Sequence, residues 1–253
     1  MNIWQALIIA IWVALIQTRL FGYAGLMLRF SPLMTSLFVG VVLGDVQAGV
    51  ITGAAIQLIT MGQIAPGGQM PSEPAVSSAV ATSAAILGGL DAAGAVAIAI
   101  PVGLLGSYLY TVKILINSYT LKYLDKVIDE VDESKFTWAI VGFPGVLGVL
   151  LHVPVMFIAL YFGTEHIANF VSFLEGTPIF HILDVVAGGL AAIGIATIVQ
   201  IIGSEKRYIY FFALAFFAQY MLRDLGISTV TWAVVGFALA GIFVFGAYRT
   251  EDA

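Results

Sequence analysis

The chain has 253 residues, of which 60% are hydrophobic and only 10% are charged, and its mean hydropathy is +1.03. A soluble domain carries about 25% charged residues, so the composition predicts a polytopic, all-helical membrane protein. The chain contains no cysteine, which excludes disulfides and thiolate metal sites, and its formal net charge of −5 argues against nucleic acid as a partner. We expect no metal and no cofactor.

Apolar stretches recur along the whole chain, at 3–17, 20–30, 33–44, 46–62, 75–90, 92–112, 139–163, 182–203, 208–222 and 226–247. A helix that crosses a bilayer needs about 20 apolar residues, so the runs between 20 and 62 are too short to span alone. We interpret them as partial helices or re-entrant hairpins. The pattern predicts about 8–10 transmembrane or re-entrant segments, in a single membrane domain over residues 1–253.

Residues 53–76, GAAIQLITMGQIAPGGQMPSEPAV, interrupt this apolar pattern with polar side chains, prolines and glycines. Three prolines and the pair Gly67 and Gly68 cannot lie within one continuous helix. At membrane depth, the backbone groups freed by such a break must be buried in protein or line a wet cavity. We therefore predict a broken segment at 62–74, of the kind from which many transporters build substrate sites. A water-exposed loop between two spans is the alternative.

The side chains in this stretch indicate the class of ligand. They offer neutral donors and acceptors with a single carboxylate: Gln57, Thr60, Gln63, Gln69, Ser72 and Glu73. This set suits the hydroxyl groups of a sugar, each of which both donates and accepts. A carboxylate at bilayer depth costs about 2.5–3.5 kcal/mol, so Glu73 should have a partner or a function. The alternative is that Glu73 lies at the membrane edge and caps the helix at 75–90.

The long polar segment at 113–136 has apolar residues at helical spacing, namely Leu121, Leu124, Ile128 and Val131, with charges on the other face. This pattern predicts an amphipathic helix at the membrane surface or docked on a partner. Its four lysines place it in the cytoplasm. The connection 164–181, which has no Lys or Arg, is placed outside, and the C-terminus inside.

Asp45 ends a short apolar run. With Asp91 or Asp184 it could form the carboxylate pair of an intramembrane aspartyl hydrolase. The simpler interpretation is a helix cap before 46–62. The three histidines of the chain, at positions 152, 166 and 181, have no metal-ligand spacing.

Two stretches carry a family resemblance. FVGVVLGD at 38–45, followed by Gly53, Gln57 and GQIAPGGQMPSEP at 62–74, resembles the signature region of the IIC membrane subunit of the mannose–fructose–sorbose family of bacterial sugar phosphotransferase systems. VAGGLAAIGIATIVQII at 186–202 resembles a later Ala-Gly-Gly segment of that family. Length, the charged central segment and the lack of a soluble domain agree with the resemblance.

The resemblance implies a IID membrane partner, separate cytoplasmic IIA and IIB phosphoryl carriers, and a trimer of IIC–IID units that works as an elevator in the bacterial inner membrane. It also implies sugar contacts at the positions matched by Glu73 and Gln57. Gln57 stands where the family usually has Glu, and Gln63 stands where a mannose-type member has an aromatic residue. These departures favour an amino sugar or N-acetylated hexosamine over plain mannose.

We therefore predict a subunit that binds and translocates a hexose, which a partner phosphorylates. The chain has no phosphate-binding glycine loop, so it is not expected to be catalytic by itself. A proton-coupled secondary sugar transporter, using Glu73, Asp45 and Asp184, is the leading alternative. A structural or receptor subunit without its own sugar site is a third possibility.

Overall fold

A computed structural model describes residues 1–18, 20–61, 63, 70–131, 133–164, 166, 167, 169, 173, 177–202, 206–221, 231 and 235–239. The chain forms two compact units, residues 1–198 and 199–253. The single membrane domain expected over 1–253 remains a prediction.

The first unit begins with six helices: α1 (Ile3–Gln17), α2 (Gly22–Arg29), α3 (Pro32–Leu43), α4 (Val46–Thr60), α5 (Pro74–Gly88) and α6 (Ala92–Asp129). A further long helix consists of α7 (Glu133–Thr137), a π-helical turn (Trp138–Gly142), α8 (Phe143–Ile158) and a second π-helical turn (Ala159–Gly163). Helix α9 covers Pro178–Ile202, and α10 (Lys206–Met221) belongs to the second unit. The described residues contain no strand, and the all-helical prediction is confirmed.

Two of these helices, Ala92–Asp129 and Glu133–Gly163, are long and apolar enough to cross a membrane, and α1 with α2 passes the same test as a bent pair. Helices α3, α4 and α5 have 12, 15 and 15 residues. At about 1.5 Å per residue they reach only about 18–22 Å, which is less than the roughly 30 Å of hydrocarbon. The described residues of the runs between 20 and 62 therefore form helices too short to cross alone, and their interpretation as partial or re-entrant segments stays a prediction.

Helix α6 continues through Lys113, where the sequence suggested that a separate amphipathic segment begins. No glycine or proline interrupts the chain between residues 107 and 129, so nothing in the local sequence ends the helix. It ends at a turn in which Val131 has a φ of 52°. Within the described chain, Thr120 and Val127 are buried, whereas Leu121 and Ile128 of the predicted apolar stripe are about half exposed.

Helices α3 and α4 form a hairpin whose backbones approach closely because three glycines lie in the contact. A Cβ on Gly49 would lie 2.6 Å from the carbonyl oxygen of Ser36 and 2.9 Å from the Cα of Gly40, and Gly53 packs equally closely on Ser36. Small residues permit this separation between helices in membrane proteins. The turn uses Gly44 in the left-handed region, with a φ of 89°.

Helix α5 lies at the centre of the first unit, where every residue from Pro74 to Ala85 is buried. A helix that is buried on all sides needs small or apolar residues around its whole circumference, and its sequence PAVSSAVATSAAILG meets that need. Three of its four hydroxyl groups, those of Ser77, Ser78 and Thr82, bond within the protein; Thr82 Oγ1 donates to Ser36 Oγ at 2.7 Å, and Ser78 Oγ donates to the carbonyl of Pro74 at 2.7 Å. The helix that follows the broken segment is therefore rigidly held.

We expect Gly49→Ala to lower the stability of the protein by about 1–3 kcal/mol, because the new Cβ meets backbone atoms that cannot move aside. Thermal unfolding of the purified protein in detergent measures the change. Gly189→Ala is the matched control, since a Cβ on Gly189 meets no atom within 4 Å. Equal unfolding temperatures for the two variants would contradict the close packing of α3 on α4.

Candidate functional site

The break between α4 and α5 brings polar groups to the ends of two short helices. Helix α4 ends at Thr60 and α5 begins at Pro74, with Glu73 as the residue that precedes its first turn. Proline at the first position of a helix is favourable because its missing N–H would have no partner there. Helix α4 thus ends just before the segment predicted to be broken, and α5 begins at the last residue of that segment.

The last residues of the broken segment, Ser72 and Glu73, pack against α6. The backbone N–H of Glu73 donates to the carbonyl of Gly103 at 2.9 Å. A Cβ on Gly106 would lie 2.8 Å from the Cβ of Glu73, and a Cβ on Gly103 would overlap the side chain of Ser72. The two glycines of α6 therefore form the recess that admits Ser72 and Glu73.

Glu73 forms a buried ion pair with Arg29, the last residue of α2. Arg29 Nε lies 3.1 Å from Glu73 Oε1, and its Nη2 lies 2.5 Å from Glu73 Oε2. The relative exposure of the two side chains is 8% for Arg29 and 1% for Glu73. Two parallel N–H···O bonds between a guanidinium and a carboxylate are the strong, geometrically specific form of such a pair.

Further groups hold Arg29 in place. Its guanidinium carbon lies 4.2 Å from the centroid of the Tyr110 ring, and Nη2 lies 3.3 Å from Met70 Sδ. A cation against an aromatic face is stabilised electrostatically, more strongly where water is excluded. Arg29 is therefore held between Tyr110 of α6 and Met70, which lies near the end of the broken segment.

The sequence analysis expected a partner for Glu73 but missed Arg29 as that partner. A signal was present: among the first 112 residues the basic side chains are Arg19 and Arg29 alone. A carboxylate at membrane depth needs an opposite charge, so Arg19 and Arg29 were the candidate partners of Glu73 in this part of the sequence. The separation of 44 residues conceals the pairing from any local pattern.

The other predicted site residues have different environments. Gln57 Oε1 accepts from the backbone N–H of Leu33 at 3.3 Å, so Gln57 caps the start of α3. Thr60 Oγ1 donates to carbonyls of its own helix at 3.0 Å. Gln63 Oε1 is buried without a hydrogen-bond partner among the described residues. Gly67, Gly68 and Gln69 lie outside the described residues.

The two described aspartates of the alternative hydrolase dyad are helix caps. Asp45 Oδ1 accepts from the N–H of Ala48 at 2.9 Å, and Asp91 Oδ1 accepts from the N–H of Gly94 at 2.8 Å. The prediction that Asp45 is a cap is confirmed. Each carboxylate satisfies an amide in the first turn of its helix, and the side chain of Asp184 lies outside the described residues.

A second polar contact lies one turn further along α6. The ammonium of Lys113 donates to the backbone carbonyl of Gln17, the last residue of α1, and lies 5.8 Å from the centroid of the Tyr110 ring. The last carbonyls of a helix lack intrahelical partners and carry partial negative charge. Lys113 therefore stabilises the end of α1 inside the protein.

The fold combines short helices, a break between α4 and α5, and a buried ion pair at the start of α5, in an apolar chain that also has helices long enough to span a membrane. These features define a class of protein, the polytopic membrane transporter with a broken-helix site. The sequence profile of the family described as PTS system sorbose-specific IIC component matches residues 3–242. The chain belongs to this family of sugar-transport components of the phosphotransferase system, the family that the sequence resemblance indicated.

Individual relatives agree with this assignment. The sorbose-specific EIIC component of Lacticaseibacillus casei is 26% identical over 253 residues, 95% of this chain and 84% of the relative. The mannose-specific EIIC component of Escherichia coli (strain K12) is 24% identical over 210 residues, 81% of this chain and 77% of the relative. The N-acetylgalactosamine permease IIC component 1 of the same strain is 24% identical over 227 residues, 88% and 82% of the two chains.

Two solved structures share the fold. One, described as a membrane protein, superposes with a TM-score of 0.69 at 21% identity, covering 96% of this chain and 94% of its own. The other is the cryo-EM structure of the mannose transporter ManYZ in complex with microcin E492, with a TM-score of 0.57, 21% identity and the same coverage. At these identities the likeness establishes the transporter fold.

We expect Arg29→Gln to destabilise the protein by about 3–5 kcal/mol, because it leaves the Glu73 carboxylate buried without its partner. The double variant Arg29→Gln/Glu73→Gln should regain most of this loss, since it leaves no unpaired charge. Thermal unfolding in detergent measures both changes.

Lys126→Gln is the matched control for the Arg29 variant. Its ion pair with Glu130 spans 3.7 Å between side chains that are 71% and 50% exposed, and such surface pairs contribute about 0–1 kcal/mol. If Arg29→Gln costs no more than Lys126→Gln, the buried pair does not hold the site together.

Proposed function

We propose that this chain is the sugar-binding and translocating subunit of a phosphoenolpyruvate-dependent phosphotransferase system, and that it passes a hexose or an amino sugar to a cytoplasmic IIB subunit for phosphorylation. The observation that carries the proposal is the buried, Arg29-paired carboxylate of Glu73 at a helix break, in a chain of the IIC family. The chain is a transport subunit, and we propose that it is not catalytic by itself.

The sugar site that we propose consists of Gln57, Thr60, Gln63, Gly67, Gly68, Gln69 and Glu73. The unpartnered Gln63 Oε1 supports the proposal, because a buried acceptor without a partner is costly and a sugar hydroxyl would satisfy it. Each oxygen of Glu73 receives one N–H from Arg29. A carboxylate has about four acceptor positions, which leaves capacity for sugar hydroxyls.

The partners that we propose are a IID membrane subunit, the IIB and IIA phosphoryl carriers, and surrounding membrane lipid. A solved structure of similar fold is the mannose transporter ManYZ, which supports a complex of two kinds of membrane subunit. We further propose a trimer of IIC–IID units with an elevator mechanism. The protein would lie in the bacterial inner membrane with the segment 113–136 and the C-terminus in the cytoplasm.

The proton-coupled alternative is less favoured. A proton-coupled carrier needs a carboxylate that gains and loses a proton during transport. Both of these described carboxylates already have a structural role, since Glu73 is paired with Arg29 and Asp45 caps a helix. Membership of a phosphotransferase family also favours group translocation over coupling to protons.

Uptake should depend on the phosphoryl donor rather than on the proton gradient. We expect cells that lack the IIB protein, with their proton gradient intact, to accumulate no free sugar through this chain. Accumulation of radiolabelled sugar is measured with and without an uncoupler, and cells with restored IIB are the control. Free sugar concentrated inside the IIB-lacking cells, and lost on adding the uncoupler, would establish the symporter instead.

Gln57 should contribute to sugar affinity through its amide as well as capping α3. We expect Gln57→Ala to weaken sugar binding to the purified complex by roughly threefold to tenfold, the loss of a neutral hydrogen bond. Isothermal titration with the transported sugar measures the change.

Ser31→Ala is the matched control for Gln57→Ala, because Ser31 caps the same helix through a 3.4 Å bond from the N–H of Met34. It disturbs the start of α3 without removing an amide. Equal losses of affinity in Gln57→Ala and Ser31→Ala would assign Gln57 a capping role alone.

A further inference from the structure

The turn between α6 and α7 forms a groove that lies apart from the break between α4 and α5. The groove has a volume of about 300 Å³, and it is lined by Val127, Ile128, Val131, Glu133 and Phe136. Val127 is buried, whereas Ile128, Val131 and Phe136 are 51%, 78% and 45% exposed. A contiguous patch of exposed apolar side chains with a polar rim marks a surface that contacts another molecule.

The groove lies beyond the membrane-spanning part of α6. This helix has 38 residues, or about 57 Å at 1.5 Å per residue, whereas the hydrocarbon is roughly 30 Å thick. Its apolar stretch, 92–112, accounts for about 31 Å of that length. Val127 follows about 22 Å further along the helix axis, so lipid tails do not cover the groove.

Val131 has an unfavourable backbone conformation for its residue type. Its φ of 52° lies in the left-handed region, which branched side chains rarely adopt and which glycine and asparagine adopt more readily. Its side chain is nevertheless exposed, so packing within the chain does not explain a valine at this position. Such strain occurs at functional sites, and here it keeps an apolar side chain at the mouth of the groove.

The charges around the groove determine what kind of molecule fits it. Residues 125–136 include five acidic side chains and two lysines, a formal net charge of −3. Lys126 pairs with Glu130 at 3.7 Å, and Glu133 lines the groove itself. An acidic rim repels both an anionic lipid surface and a second copy of the same segment. It attracts a basic surface.

We propose that this groove docks a soluble protein whose contact surface places an apolar side chain between lysines or arginines. The apolar side chain fills the groove against Ile128, Val131 and Phe136, and a basic side chain pairs with Glu133. This docking site rests on the proposed function, which supplies a soluble partner, the phosphoryl carrier IIB, on the side of the membrane where 113–136 is placed.

The test measures binding of purified IIB to the IIC–IID complex in lipid nanodiscs. Val131→Asn removes the apolar side chain, and asparagine suits a φ of 52°. We expect this variant to unfold at the same or a higher temperature, to bind sugar unchanged, and to bind IIB roughly fivefold to thirtyfold more weakly. A purely structural role of Val131 would not weaken IIB binding in a protein that is no less stable.

Tyr119→Asn is the matched control. Tyr119 is 70% exposed and precedes Ile128 by about two and a half turns of α6, which places it on the opposite face of the helix. Its substitution should leave the affinity for IIB unchanged. Equal affinities of Val131→Asn and Tyr119→Asn for IIB would overturn the proposal, as would a lack of IIB binding to the unsubstituted complex.

The acidic rim predicts a dependence on salt. Glu133→Gln keeps the size of the side chain and removes its charge, so the affinity for IIB should fall by roughly threefold to tenfold at low salt. The difference from the unsubstituted protein should shrink at about 0.5 M salt, where exposed charges are screened. An affinity that depends neither on salt nor on Glu133 would overturn the assignment of a basic partner.

A single cysteine shows whether the groove is open in the assembled complex. The chain has no cysteine of its own, so Val131→Cys with a cysteine-free IID gives one reactive thiol. A water-soluble maleimide should modify it rapidly in the IIC–IID complex and slowly once IIB is added. Slow modification without IIB would assign the groove to IID and overturn this docking site alone. The proposed function would fail separately, through sugar accumulation in cells that lack IIB.

Discussion

The buried ion pair between Arg29 and Glu73 is the constraint on which the arrangement of the site depends. Neither charge is stable alone in this buried position, since an uncompensated buried charge costs several kcal/mol. The pair therefore fixes the end of α2 against the start of α5. Any movement that opens the broken segment relative to α2 has to break or carry this pair.

Helix α6 contacts the groups that lie near the break between α4 and α5. Gly103, Gly106, Tyr110 and Lys113 follow one another at intervals of three or four residues, which places them along one face of the helix. Gly103 accepts the backbone N–H of Glu73, and Gly106 leaves room for the Glu73 side chain. The Tyr110 ring lies against the guanidinium of Arg29, and the ammonium of Lys113 donates to the last residue of α1. Because α6 is continuous from Gly103 to Lys113, these contacts keep their spacing along one helix.

Small side chains allow the short helices to pack closely around α6. Helix α5 is buried on every side, and α3 and α4 approach each other through Gly40, Gly49 and Gly53. Because lipid is as apolar as leucine, such helices gain stability from close packing and hydrogen bonds more than from hydrophobic burial. The same closeness brings Gln57 of α4 to the first turn of α3, so one amide serves both the fold and the proposed sugar site.

The sequence by itself determined the membrane class, the short helices between residues 20 and 62 and the cap at Asp45. These features depend on local composition, on proline and glycine, and on side chains that bond within a few residues. Only the tertiary structure decided that Arg29 neutralises Glu73, that Gln57 caps α3, and that α6 runs on through Lys113 with recesses at Gly103 and Gly106. Those contacts join residues far apart in the chain, and their geometry follows from how the helices pack, which no local pattern encodes.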